Sequence, residues 1–189
     1  MGKLDKWADQ RVLNTRDVPK ALVDEFERVL GDAKDERPLQ AFLAEHPELL
    51  CRLAEPGGQL WCLDRPRLGS ELIPDFLLAS DSSIGFRWTL IELEGPNEAI
   101  LTKDGVPAKK LAGAMKQIRD WRGWLRSNIG YAREQVGLTD IHAECRSVII
   151  VGRRQGLDAK QARVYGALSG NSDTVMTYDR LLEIARSGR

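Results

Sequence analysis

The sequence predicts an α/β (α+β) fold in which a mixed central sheet is flanked by helices. Three observations predict it. Two stretches with apolar residues at helical spacing are followed by three strand-like runs in succession, residues 60–63, 71–79 and 85–94. A long amphipathic helix then covers 108–127. After it, residues 147–152 (Ser-Val-Ile-Ile-Val-Gly) form a continuously apolar run, the pattern of a strand buried on both faces. A meander of strands followed by alternating helices and strands implies a mixed sheet with helices packed on it.

Each element has its own local reason. Residues 1–17 are polar and weakly patterned, the composition of a loose arm. The first helix, 18–30, sets Leu22, Phe26, Val29 and Leu30 on one stripe and stops at Gly31. Asp35-Glu36-Arg37-Pro38 opens the second helix, where the missing N–H of Pro38 costs nothing in the first turn. Its stripe is Leu39, Phe42, Leu43, Leu49 and Leu50, with a break at His46-Pro47. Glu55-Pro56-Gly57-Gly58-Gln59 is a turn, and Ser80-Asp81-Ser82-Ser83 has the composition of a hairpin between the second and third strands. Gly95-Pro96-Asn97 ends the third strand and a polar loop runs to about residue 107. The helix at 108–127 carries Leu111, Met115, Ile118, Trp121 and Leu125 on one face. A helix at 158–168, a short strand at 174–177 and a helix at 178–186 complete the order. With no repeat or interdomain linker, the expected organisation is one globular unit, an arm and helix at 1–34 leading into a domain at 35–189.

Composition narrows the class. At 189 residues the chain is long enough for one well-buried core, and 42% hydrophobic with 30% charged residues is the balance of a soluble globular domain. No apolar run reaches the roughly 20 residues that span a bilayer, and the N-terminus lacks an apolar signal core, so no membrane partner and a cytoplasmic location are expected. Cys51, Cys62 and Cys145 are scattered without a Cys-x-x-Cys pair and read as isolated thiols. His46 and His142 are far apart in sequence and read as structural, which argues against a histidine-based zinc site.

The chemistry is concentrated at the strand ends. Glu92 and Glu94 close the third strand-like run, and alternation along a strand puts them on one face. Asp75, in Ile73-Pro74-Asp75-Phe76, would bring a third acid to that face from the neighbouring strand. Three carboxylates held together call for a cation, and Mg²⁺ or Mn²⁺ favours such oxygen ligands. An isolated E-x-E is more often a charged edge strand; Thr89-Leu90-Ile91 ahead of Glu92 reads instead as a central strand. Net charge is zero, with 28 basic and 28 acidic residues, yet the long helix and its flanks are basic. Lys103, Lys109, Lys110, Lys116, Arg119, Arg122, Arg126 and Arg133 there face only Asp104 and Asp120, which suits a phosphate backbone. Trp121 and Trp124 are read as core, and Arg153 and Arg154 as a solvated strand end where a phosphate contact is possible.

The succession of helix, three strands, helix and strand, with Pro74-Asp75, Glu92-Leu93-Glu94 and Gln117, resembles the core of the PD-(D/E)XK nuclease superfamily. More closely, the chain resembles the nuclease domain of the Shedu antiphage defence family. The pieces are Glu36-x-x-x-Gln40-x-Phe42-Leu43, His46-Pro47-x-Leu49-Leu50, Pro74-Asp75-Phe76-Leu77-Leu78, Ile91-Glu92-Leu93-Glu94-x-Pro96, Gln117-Ile118 and Thr177-Tyr178-Asp179-x-Leu181-Leu182. They span about residues 35–186.

The resemblance implies a Mg²⁺-dependent (or Mn²⁺-dependent) endodeoxyribonuclease that defends against phage or foreign DNA, RNA not being excluded as substrate. It makes Asp75 and Glu92 metal ligands, with Glu36 a possible outer one. Superfamily members usually carry Lys two positions after the second acid; here Glu94 stands there, a variant known among active members. Glu94 would accept the water's proton or bind metal, Lys110 would restore the cation, and Gln117 would orient the water or touch the phosphate. Lys109, Lys110, Lys116 and Arg119 would hold the DNA backbone without reading sequence. The resemblance also implies homo-oligomers, with control through assembly or a partner. The alternative is a catalytically inactive nuclease-fold module that binds nucleic acid or a protein, the reading that Glu94 keeps open.

Overall fold

The computed structural model describes residues 12–13, 18–69, 72–155, 157–168 and 173–187. Five strands form a mixed sheet: β2 (Leu60–Asp64), β3 (Phe76–Ser82), β4 (Gly85–Leu93), β5 (Arg146–Ile150) and β6 (Asp173–Met176). A two-residue strand, β1 (Val12–Leu13), extends the edge beside β2, so that piece of the expected loose arm is paired; the rest of residues 1–17 lies outside the described residues. Strands lie in chain order, antiparallel from β1 to β4 and parallel from β4 to β6. The helices are α1 (Lys20–Asp32), α2 (Arg37–Glu45), α3 (Lys109–Tyr131), α4 (Ala159–Ala167) and α5 (Tyr178–Arg186).

The centre of the sheet follows from the β4 sequence. From Trp88 to Leu93 every residue is buried, because strand alternation sends its side chains into two separate cores. Ile91 and Leu93 join Phe76, Leu78, Val148 and Ile150 against α1, α2 and α5. Trp88 and Leu90 join Leu77, Ala79 and Ile149 against α3. Helix α3 meets that second core through Leu111, Ala114, Ile118, Trp121 and Leu125; Met115, expected on the stripe, sits on its flank and is only partly buried. Trp121 is core, as read from the sequence.

Several boundaries differ from expectation. The second strand begins at Phe76 rather than residue 71, and Leu72 is held instead by an isolated bridge to Leu68. Pro74, lacking an N–H, cannot join a ladder there. The long helix runs on to Tyr131 and continues as a π turn, Ala132–Val136, that ends at Gly137 with φ +89°. The second helix stops at Glu45, and Pro47–Leu49 and Cys51–Leu53 are 3₁₀ turns, since Pro47 interrupts the helical ladder.

Candidate functional site

The hairpin at Ser82–Gly85 sets a register in which Phe76 faces Ile91. One residue further out, Asp75 stands opposite Glu92. An Asp75 carboxylate oxygen accepts the Leu93 backbone N–H at 2.8 Å, which ties the end of β4 to the loop entering β3. Glu94, one step beyond β4, donates its N–H to the Ile150 carbonyl at 2.9 Å and so continues the parallel pairing. Its own carbonyl accepts the buried Tyr178 hydroxyl at 2.9 Å. The three acids therefore occupy the α3 face of the sheet at the carboxyl end of β4.

Burial separates their chemistry. Glu92 is only 6% exposed, and its Oε2 has no hydrogen-bond partner among the described residues. Burial, then the neighbouring carboxylates of Asp75 and Glu94, push its carboxyl up to about 9, against the backbone N–H of Asp75. Asp75 is raised as well, by burial first, with the Leu93 N–H and Arg65 opposing. Glu94 is raised by burial, and Lys110 opposes the shift. The Lys110 ammonium stands 3.2 Å from a Glu94 carboxylate oxygen and is itself held charged by it. An apolar side chain at Glu92 would contribute about 1.5–3 kcal/mol by burial, whereas an unpaired buried charge costs several. Stability does not account for a carboxylate there.

Of the other residues expected in the site, Glu36 comes close. It starts α2 without capping it, and its Oε2 lies 3.7 Å from where a Cβ on Gly95 would stand. Its charge acts on Asp75, Glu94 and Lys110. Gln117 shares Lys110's flank of α3, two turns on, but is exposed and makes no hydrogen bond to the acids among the described residues. The remaining cations are not gathered with Lys110. Lys116 is paired with Asp120 at 2.5 Å, Lys109 is exposed, and Arg119 lines a separate cavity with Arg122 and Asp173. Helical periodicity turns these three away from Lys110.

Sequence reasoning missed Asp64, Arg65 and Tyr178. Asp64 ends β2 opposite Phe76, accepts from Gln40 at 2.8 Å, and adds its charge to the field at Asp75. The Arg65 N–H bonds the Asp75 carbonyl at 2.9 Å. An acid closing an apolar strand, as Glu92 nearly does in β4, was the available signal for Asp64. Arg153 and Arg154, read as solvated, are paired with Asp179 and Glu183. His46 packs on Phe42 with ring centroids 4.7 Å apart, in keeping with a structural role. The three cysteines are buried and form no disulfide among the described residues, and the Cys51 thiol donates to the Pro47 carbonyl at 3.5 Å.

The acids do not form a closed cage. Among the described residues no three His, Cys, Asp or Glu side chains stand together in a way that could hold a metal ion. Mutually repelling carboxylates take other partners, Asp75 the Leu93 N–H and Glu94 the Lys110 ammonium. The donor set nevertheless suits a hard cation: all its members are carboxylates, and one buried oxygen is unpartnered among the described residues.

With that geometry in view, comparison with known families is decisive: the model for Shedu protein SduA, C-terminal, matches residues 33–182. The chain belongs to this Shedu family. The match takes in Glu36, Asp75, Glu92, Glu94, Lys110 and Tyr178, so every residue of the cluster lies in the Shedu domain. No curated relative matches the chain. No helix among the described residues is long and apolar enough to cross a membrane.

Proposed function

We propose that this Shedu domain is a metal-dependent nuclease hydrolysing DNA phosphodiester bonds. Family membership points to antiphage defence. The observation that carries the chemistry is Glu92: a buried carboxylate with an oxygen unpartnered among the described residues, facing Asp75 and Glu94 at the end of a central strand. Asp75, Glu92 and Glu94 would hold Mg²⁺ or Mn²⁺, with Glu36 as an outer acid. A bound cation of this kind lowers the pKa of a coordinated water and stabilises charge on the phosphoryl oxygens.

The chain's own groups supply the rest. Glu94 is the acid nearest solvent among the β4 pair and accepts the proton of the attacking water. Lys110, in place to neutralise charge on the phosphate, takes the part that a lysine at position 94 would have had. Gln117 lies further along the same flank, where a phosphate approaching Lys110 would meet it. Glu92 within β4 and Lys110 and Gln117 on α3 are carried by regular elements, which suits positioning chemistry.

A second reading has an observation of its own. The Glu94–Lys110 pair ties up one acid, the arrangement of a nuclease fold kept for binding alone. Incubation of supercoiled and linear DNA, and of RNA, with Mg²⁺, Mn²⁺ or EDTA separates the two, with Glu92→Ala as control. Metal-dependent cutting lost in the variant is the expected result. Intact nucleic acid under every condition, from a folded protein, would leave the binding module in its place.

A further inference from the structure

Beyond the acids, a cleft of about 390 Å³ opens at the carboxyl ends of β4 and β5, a size in the range of small-ligand sites. One wall is the loop that leaves Glu94, through Pro96, Asn97 and Ile100; the other carries Arg153, Leu157 and Gln161. Next to these walls the two loops approach closely through their backbones. Gly152 donates to the Gly95 carbonyl at 3.1 Å, and a Cβ on Gly152 would stand 2.5 Å from the Glu98 carbonyl oxygen. Gly152 also has φ +62°, so any other residue there would shift the wall.

The cleft adjoins the acids through Glu98, whose charge acts on both Glu94 and Lys110. Its lining is apolar at Pro96, Ile100 and Leu157 and amide-bearing at Asn97, Gln155 and Gln161. Two of those amides are fixed. Asn97 donates to the Ala33 carbonyl at 3.1 Å, and Gln161 is locked to Asp158 and Thr102. Glu98 repels a phosphate from the interior, whereas Arg153, held by Asp179 at 2.7 Å, puts a cation on the lining. A flat, uncharged ring with hydrogen-bonding edges fits such a lining better than an anion does.

We propose that this cleft takes one unstacked nucleobase from the strand whose phosphodiester lies at Asp75, Glu92 and Glu94. The proposal rests on the nuclease reading for its orientation, and it has a consequence for substrate class. Unstacking is least costly where bases are mismatched or unpaired. Single-stranded or locally melted DNA is therefore preferred over matched duplex.

The test works in EDTA, without cleavage. Isotope-labelled protein is titrated with deoxynucleosides, deoxynucleoside 5′-monophosphates and inorganic phosphate, and its amide resonances are followed. Expected are saturable shifts at Asn97, Ile100 and Leu157 with nucleosides and monophosphates but not with phosphate. Leu157→Trp, which narrows the cleft, should weaken them by about tenfold or more. Gln155→Trp, at an exposed position, gives the same reading should the first variant fail to fold. Shifts with phosphate alone, or none with nucleosides, overturn the proposal. Nucleoside binding by a chain that cuts nothing would retire the nuclease while the cleft stood; cutting without nucleoside binding would retire the cleft alone.

Discussion

Replacing Glu92 by Gln keeps the shape of the side chain and removes its titration. In the folded chain its carboxyl is pushed from 4.5 to about 9; unfolded, it returns to the ordinary value. The sign follows from which state holds the proton. Between those two values the folded state keeps a proton that the unfolded state releases, so stability falls as pH rises. The contribution is complete below the unfolded pKa and lost as pH climbs through the folded one. Each pH unit in that window costs about 1.4 kcal/mol per proton, or about 4 kcal/mol from pH 5 to pH 8. Asp75 and Glu94, raised in the same direction, add to the slope in the wild type, and the three titrate together. Urea unfolding in EDTA at pH 5, 6, 7 and 8 reads it directly. Glu92→Gln should be close to wild type at pH 5 and more stable by several kcal/mol at pH 8. Curves that stay parallel across the range would show that Glu92 is ionised in the folded chain, and the reasoning about its burial would be wrong.

Three further outcomes are expected. Mg²⁺ or Mn²⁺ should raise the melting temperature, more at pH 8 than at pH 6 because a ligand carboxylate must shed its proton, and Asp75→Ala should remove most of the rise; thermal scans with and without EDTA decide this. Lys110→Ala should cut the DNA cleavage rate at least tenfold, a loss of about 1.4 kcal/mol in transition-state stabilisation, and a normal rate would retire Lys110 as the replacement cation. Tyr178→Phe leaves the Glu94 carbonyl without its buried donor. It should cost about 1–3 kcal/mol in urea unfolding, and an unchanged midpoint would show that the hydroxyl does not anchor Glu94.

What could be read from the sequence divides by the range of the interaction behind it. Glu92 and Glu94 share a face because strand alternation is a local rule, and Thr89-Leu90-Ile91 marked the strand as central for the same reason. Gly31 did not stop α1, which runs to Asp32 with Ala33 as its cap. The start of β3 at Phe76 was missed because hydrophobicity alone does not register that Pro74 cannot join a ladder. The basic helix was legible as a charged segment, but composition does not tell its flanks apart. Only the packing of Leu111, Ala114 and Ile118 on the sheet decides that Lys110 faces the acids while Lys116 and Arg119 face elsewhere.

The sequence by itself determined the element order, the acid pair of β4 and the candidate role of Asp75, since these rest on periodicity and on residue chemistry. Tertiary structure alone decided the register that sets Asp75 against Glu92, and the approach of Glu36 and Asp64 from other elements. It also placed the Tyr178 hydroxyl on the Glu94 carbonyl, 84 residues away in the chain. The physical reason is burial. A carboxylate's pKa and its need for a partner depend on how much water the fold removes and which charges it brings near, and neither is a property of the residues taken in order.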